Sequence, residues 1–133
     1  MSSEKRVTIS VNGGIADVRM NRPDKRNALD GAMFAGLAEA GDELKARKDV
    51  RVVVLQGAGG NFCSGGDVHE IIGPLTQMTM PEMLEFTRMT GNLIKAMRLC
   101  PQPIIAAIDG ICAGAGAMMA LAADMRLGTP RAK

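Results

Sequence analysis

The sequence is poor in aromatic residues: among 133 residues there are three Phe and neither Tyr nor Trp. Proteins that bind single-stranded nucleic acid stack the bases on aromatic side chains, so this composition disfavours a binding surface of that kind. The net charge does not indicate a nucleic-acid-binding surface either, because 16 Lys and Arg and 14 Asp and Glu leave only +2. We therefore expect no nucleic-acid partner.

Cysteine is also scarce. Cys63, Cys100 and Cys112 have no metal-ligand spacing, and three cysteines do not make an even disulfide set. We therefore predict no metal site and a reducing compartment, the cytoplasm. Residues 1–5 are polar and lack the apolar core of a secretory signal, which agrees with this expectation.

One apolar run, residues 104–123, is about long enough to span a bilayer, and Gly110 and Gly114 form a GxxxG pair in it. Asp109 and three glycines disfavour a single spanning helix. A buried strand, a turn and a buried helix explain the run better, so we expect no membrane partner. Because the run is apolar nearly all round, it predicts burial on every side. A domain of this size has limited means to cover such an element alone, so we expect the 133-residue chain to expose apolar surface that a missing half or partner subunits normally cover.

Glycine, in contrast, is plentiful, and two glycine-bearing turns carry most of the functional information. The first, residues 61–67 (NFCSGGD), follows the apolar run 52–55, and the second, residues 109–116 (DGICAGAG), follows residues 104–108. Each pattern predicts a buried strand, a turn with unpaired backbone N–H groups and the start of a helix. Two such turns that face each other place two N–H donors on one oxygen, as an oxyanion hole requires.

The remaining pattern predicts a mixed α/β domain over residues 1–133. Alternating residues around Asn12-Gly13-Gly14 predict a hairpin, and Asp30 is placed to cap a helix. The face of that helix would carry Met33, Phe34, Leu37, Ala40 and Leu44.

Further along, residues 49–56 predict a strand, and residues 68–72 a short helix with a loop through Pro74. Thr79 and Glu82 have capping-box spacing and open a helix of about twenty residues that ends before Pro101. Residues 104–108 and 116–122 predict a strand and a helix. There is no internal repeat and no linker.

Four blocks resemble the enoyl-CoA hydratase/isomerase (crotonase) superfamily, in the order and spacing of that family. They are residues 21–29 (NRPDKRNAL), 57–67 (GAGGNFCSGGD), 103–110 (PIIAAIDG) and 123–127 (ADMRL). The resemblance covers nearly the whole chain and implies a crotonase-like spiral of β-β-α units, with the C-terminal helical region absent from this chain.

The resemblance also implies a ligand, an acyl-CoA thioester that acts as substrate, with no permanently bound cofactor. The N–H groups of Gly66 and Ala115 would bind its oxyanion. The CoA moiety would lie along Ala28, Ser64, Gly66, Asp67, Val68 and His69. Family members form trimers or hexamers, so a homo-oligomer is expected.

The sequence departs from the family at the catalytic acids. Hydratases of the family carry a glutamate three residues after the second donor, where this chain has Met118, and a second acid about twenty positions later, beyond Lys133. Hydration needs groups that activate water and transfer a proton, whereas family isomerases use a single acid. Three alternatives stay open: a hydratase, an isomerase with an acid beyond Lys133, and a non-catalytic fragment that binds acyl-CoA or forms oligomers.

Other residues permit two interpretations. Arg22, Lys25 and Arg26 would meet CoA phosphates or form a solvated turn. His69, the only histidine, would serve as ligand contact, surface residue or general base. A nucleophilic role for Cys63 or Ser64 lacks a nearby base other than His69.

The methionines and two glutamates are similarly open. Met78, Met80, Met83 and Met89 would line an acyl pocket or, more simply, pack in the core. Glu82 and Glu85 fit capping and solvent-face roles better than catalysis. Rossmann and P-loop motifs are excluded, because residues 114–119 have Met in place of the third glycine and neither turn has Gly-Lys-Ser/Thr.

Overall fold

A computed structural model describes residues 4–133, so the first part of the polar N-terminal stretch lies outside it. The chain begins with the predicted hairpin. Strands β1 (Val7–Asn12) and β2 (Ile15–Met20) pair antiparallel across Gly13 and Gly14, which both have positive φ angles. The alternation of apolar and polar residues therefore predicted this hairpin correctly.

The hairpin is the edge of a five-stranded sheet with the order β1-β2-β3-β4-β5. Strands β3 (Val52–Gly57), β4 (Ile104–Ile108) and β5 (Met125–Gly128) continue it, and every pair from β2 to β5 is parallel. Parallel neighbours require a crossover, so each later strand is preceded by a helical segment. The parallel strands end at one edge of the sheet, and the two glycine turns follow β3 and β4 there.

Helix α1 (Gly31–Lys45) makes the first crossover. Asp30 is its N-cap, and the Asp30 carboxylate accepts a 2.7 Å hydrogen bond from the Met33 N–H. The buried residues of the helix are the five predicted, Met33, Phe34, Leu37, Ala40 and Leu44. They pack with the sheet residues into one hydrophobic cluster.

The second crossover starts with a π-helical turn, Val68–Ile72, and continues into a short helix, α2 (Gly73–Leu75). The prediction of a loop through Pro74 is therefore wrong. Proline lacks an N–H, and the first turn of a helix does not need that donor, so Pro74 fits the start of α2.

Helix α3 (Met80–Leu99) has the predicted length and ends before Pro101. Glu82 accepts hydrogen bonds of 2.8 Å from both the N–H and the hydroxyl of Thr79. The prediction that its methionines pack in the core is wrong for three of them, because Met80, Met83 and Met89 are 77%, 37% and 44% exposed.

The apolar run 104–123 forms a strand, a turn and helix α4 (Ala115–Ala122), as predicted. Within residues 4–133 no helix is long and apolar enough to cross a membrane. The run is covered only in part within residues 4–133: Met119 and Ala120 are buried, whereas Met118 and Leu121 are 58% and 72% exposed, so the chain exposes apolar surface here, as expected. The covered face of α4 is the one that carries Met119 and Ala120, which belong to the hydrophobic cluster, and α4 also contacts helix α3.

A second set of backbone pairs runs beside the sheet. Leu29 pairs with Gly66, and Cys63 pairs with Cys112, each in a parallel bridge. The N–H of Cys112 also donates to the Lys133 carbonyl at 2.8 Å. Strand, bridged turn and helix thus repeat along the chain, which confirms the predicted crotonase-like spiral of β-β-α units.

Candidate active site

The two glycine turns are in direct backbone contact. The Cys63 N–H donates to the Ile111 carbonyl, and the Ala113 N–H donates to the Cys63 carbonyl, both at 3.0 Å. Two positions after Cys63, a Cβ atom added to Gly65 would lie 3.3 Å from the Ala113 carbonyl oxygen. The turns therefore face each other at backbone distance, which is the condition under which two such turns could present N–H groups to one oxygen.

The start of α4 also lies against the first turn. A Cβ atom at Gly116 would collide with the carbonyl oxygen of Cys63. Only glycine permits this approach. As a result, the first residue of the helix, Ala115, is held next to the segment that carries Gly66.

Two backbone donors near this contact are without an acceptor. In the part of the chain that the structure describes, neither the Gly66 N–H nor the Ala115 N–H donates a hydrogen bond. Both residues are half-buried. The first N–H groups of any helix lack a partner inside the helix and carry a partial positive charge, so the Ala115 N–H is free to bind an acceptor from a ligand.

Asp67 holds the segment next to Gly66. Its carboxylate accepts hydrogen bonds from the backbone N–H groups of His69 and Glu70, at 2.8 and 2.9 Å. The Glu70 N–H, the Arg22 guanidinium and the His69 N–H together lower the pKa of Asp67 to about 2. Asp67 is therefore an ionised N-cap throughout the neutral range.

Arg22 is buried behind this cap, which excludes both roles that the sequence suggested for it, the phosphate contact and the solvated turn. Its guanidinium lies 2.6 Å from the Asp67 carboxylate and 3.5 Å from that of Asp30, and it donates to the Ala28 carbonyl at 3.2 Å. One cation thus bridges the carboxylates that cap α1 and the π-helical turn. The partner carboxylate is 45 positions away in sequence, so no local pattern indicated the pair.

The residues predicted to follow the CoA moiety lie close together. The Leu29 N–H donates to the Gly65 carbonyl, and the Asp67 N–H donates to the Leu29 carbonyl, each at 2.8 Å. This pairing brings Ala28 beside the segment that contains Ser64, Gly66, Asp67, Val68 and His69. Val68 is 67% exposed and His69 is exposed, whereas Ala28 and Asp67 are buried.

Cys63 is poorly suited to nucleophilic chemistry. Its side chain is fully buried, and burial raises the pKa of the thiol to about 11. At neutral pH the group is a thiol and not the reactive thiolate. His69, the candidate base for Cys63, lies exposed on the π-helical turn, whereas the thiol is buried.

Two asparagines were missed as site-forming residues. Asn27 is fully buried and donates to the carbonyls of Ala58 and Asn61 at 2.9 and 2.8 Å. The Asn61 side-chain oxygen in turn accepts from the Ile111 N–H at 2.9 Å. The side chains connect three separate loops, and nothing in the local sequence distinguishes them from ordinary turn residues.

Other candidate sites lie elsewhere. Among residues 4–133 there is no group of three or more His, Cys, Asp or Glu side chains placed to hold a metal ion. A cavity of about 580 Å³ opens between α1 and α3, lined by apolar residues such as Phe34, Leu93 and Met119. Met89, one of the four candidate acyl-pocket methionines, lines it, but none of the residues predicted to bind the oxyanion or the CoA moiety does.

Comparison with known proteins agrees with this architecture. The enoyl-CoA hydratase/isomerase family model matches residues 10–133. The mitochondrial enoyl-CoA hydratase domain-containing protein 2 of Bos taurus is 38% identical over 117 residues, which are 87% of this chain and 38% of that protein. The 1,2-epoxyphenylacetyl-CoA isomerase of Escherichia coli is 32% identical over 127 residues, 92% of this chain and 47% of that one.

A solved structure gives the same result. A protein of Streptomyces coelicolor, provisionally assigned as an enoyl-CoA hydratase, matches with a TM-score of 0.88 and 46% identity. The match covers 98% of this chain and 48% of that protein. The chain therefore spans less than half the length of the relatives it matches.

Proposed function

We infer that this chain, which belongs to the enoyl-CoA hydratase/isomerase family, binds an acyl-CoA thioester and stabilises the enolate of that thioester. The N–H groups of Gly66 and Ala115 would donate to the thioester oxygen. Charge develops on that oxygen when the thioester becomes an enolate, and donors already in place stabilise it without reorganisation.

The observation that carries the proposal is the pair of unused donors on two turns that touch. Cys63 and Cys112 are paired through their backbones in an isolated parallel β-bridge, and both side chains are free thiols. They stand three residues before Gly66 and Ala115, respectively. The donors therefore follow a fixed backbone contact by the same number of residues. The positive end of α4 adds to the field at Ala115.

The CoA moiety would extend from this point along the strip defined above, from Gly66 to His69 with Ala28 and Ser64 beside it. Exposed Val68 and His69 are accessible to a ligand. Lys25 and Arg26 are also exposed on the neighbouring loop, so they remain candidates for phosphate contacts, unlike Arg22.

The reaction after enolate formation needs an acid that this chain does not provide at the expected position. Met118 lies one helical turn after Ala115 and is 58% exposed, and its thioether cannot transfer a proton. We favour hydratase or isomerase activity in which an acid beyond Lys133 acts. Isomerisation needs a single acid, and one relative, that of Escherichia coli, is an isomerase by name. A non-catalytic acyl-CoA-binding role is the alternative.

We further propose a homo-oligomer, a trimer or hexamer, because Leu121, Met125 and Leu127 are 72%, 56% and 60% exposed and form part of an uncovered apolar surface. A cytoplasmic location is proposed from the three free cysteines.

The binding test uses three ligands that differ at one group: butyryl-CoA, its S-butyl thioether analogue and free CoA. Titration calorimetry on the intact natural protein should show the tightest binding for the thioester, since only it has the carbonyl oxygen. Equal affinity for the thioester and the thioether would contradict the oxyanion site. Negligible binding of all three would contradict acyl-CoA as the ligand.

A further inference from the structure

Asn61, the first residue of the first glycine turn, contacts the second turn through its side chain, and the proposed reaction does not itself explain this contact. Its backbone carbonyl belongs to the first turn and accepts from Asn27 at 2.8 Å. Its side-chain oxygen reaches the second turn and accepts from the Ile111 N–H at 2.9 Å. A single residue thus connects the loop before α1 and both turns.

The second turn is shaped to receive this side chain. Gly110 has a φ angle of +57°, and a Cβ atom there would collide with the Gly60 carbonyl oxygen and the Asn61 side-chain oxygen. The absence of a side chain at position 110 allows the amide of Asn61 to approach the backbone N–H of Ile111.

From this geometry we infer that Asn61 is a positioning residue that sets the relative placement of the two oxyanion donors, an inference that rests on the proposed function. Asn61 lies five residues before Gly66, and Ile111 lies four residues before Ala115. The hydrogen bond from the Ile111 N–H to the Asn61 side chain constrains both segments just before the backbone β-bridge of Cys63 and Cys112. Loss of the bond would allow the turns to shift relative to each other.

The expected consequence appears in turnover more than in substrate affinity. Removing an oxyanion donor outright typically costs on the order of 10²–10³ in kcat, and a displacement of about 1 Å costs up to about 10². For Asn61→Ala we expect kcat to fall about 10- to 100-fold, with KM changed by less than about 3-fold. The CoA strip is untouched by the substitution.

A spectroscopic readout separates positioning from a general effect on stability. The carbonyl stretching frequency of bound butyryl-CoA, measured by isotope-edited infrared difference spectroscopy, reports the hydrogen bonds to the thioester oxygen. In the intact natural protein the band should lie below that of the free thioester. In Asn61→Ala it should move back toward the free value, even in the folded fraction of the sample.

Two further variants complete the comparison. Asn61→Asp retains an oxygen that can accept from Ile111, so it should restore both the band and kcat to near the wild-type values. Asn92→Ala makes the same chemical change at an exposed position of α3 that borders the cavity between α1 and α3 and belongs to neither turn, and it should behave as wild type. If Asn61→Ala does not fold, Asn61→Leu supplies similar volume without the acceptor and should show the same losses.

The outcomes distinguish the two claims. A wild-type protein that binds the thioester without a band shift would contradict the proposed function and this inference with it. A wild-type shift that Asn61→Ala retains, with unchanged kcat, would contradict the inference alone. Failure of Asn61→Asp to restore the band would equally overturn it, because the acceptor oxygen is the basis of the argument.

Discussion

The Arg22 guanidinium donates a 2.6 Å hydrogen bond to the Asp67 carboxylate, and both residues are buried. Arg22 thereby connects the loop before α1 to the segment that follows the proposed donor Gly66. The pair is supported on both sides, because Asp67 caps the π-helical turn and Arg22 also lies 3.5 Å from Asp30. Stability and site geometry depend on the same contact.

Arg22→Met should destabilise the protein strongly. The substitution retains most of the side-chain volume but leaves the Asp67 and Asp30 carboxylates without their shared cation, and breaking a buried pair costs far more than losing a surface one. We expect the melting temperature to fall by roughly 10 °C or more, measured by circular dichroism. Arg47→Met is the control, because its ion pairs with Glu43 and Asp49 are exposed, and it should lower the melting temperature only slightly.

Acid should weaken the fold in a defined pH window. The pKa of Asp67 is lowered from 3.8 to about 2, chiefly by the Glu70 N–H and then by Arg22. Because the folded-state pKa lies below the unfolded one, the contribution to stability is complete above about pH 4 and is lost as the pH falls toward 2. Urea unfolding between pH 2 and 6 should show this decline, with a smaller slope in Asp67→Asn. An identical slope in that variant would contradict the assignment.

The predictable part of the fold is the part determined by neighbouring residues. The hairpin at Gly13 and Gly14, the Asp30 cap and the Thr79–Glu82 pair each depend on residues within a few positions, so the sequence predicted them correctly. The two strand-turn-helix patterns were also recognisable in the sequence, whereas the contact between the two turns depends on β3 and β4 being neighbours in the sheet.

Long-range contacts account for most of what was missed. Arg22 is basic and sits in a polar turn, which locally indicates exposure, yet Asp67 and Asp30 come together around it only in the folded chain. Asn61 meets Ile111 across 50 positions. Met80 and Met83 are apolar at helical spacing, which predicts burial, but α3 has no covering partner on that side among residues 4–133. Packing partners that are distant in sequence decide such positions.

Cys63 should be dispensable for chemistry. Burial raises the pKa of its thiol to about 11, so at pH 7.5 it should react with iodoacetamide far more slowly than a free cysteine does. Mass spectrometry of peptides after timed alkylation measures this rate. Cys63→Ala should retain turnover per folded molecule, and a complete loss of turnover in a folded variant would restore the nucleophile hypothesis.

Met118 should tolerate substitution. Met118→Leu should change turnover by less than about 3-fold, because neither side chain transfers protons. Since Met118 is 58% exposed, Met118→Glu should also fold, and it places a carboxylate one helical turn from Ala115. Enoyl-CoA hydration assays on the two variants test whether that carboxylate adds activity. A large loss in Met118→Leu would show that the methionine itself shapes the reacting site.

The central claim is that the Ala115 N–H binds the thioester oxygen, and Ala115→Pro tests it most directly. Ala115 is the first residue of α4, a position that accepts proline well, so the substitution removes the N–H with little effect on the helix. Ala115→Ser, which keeps the N–H, is the matched control. Measured as kcat on an enoyl-CoA substrate in the intact natural protein, Ala115→Pro should lose on the order of 10²–10³ in turnover with its fold intact, while Ala115→Ser stays near wild type. A folded Ala115→Pro protein with full turnover would contradict the account.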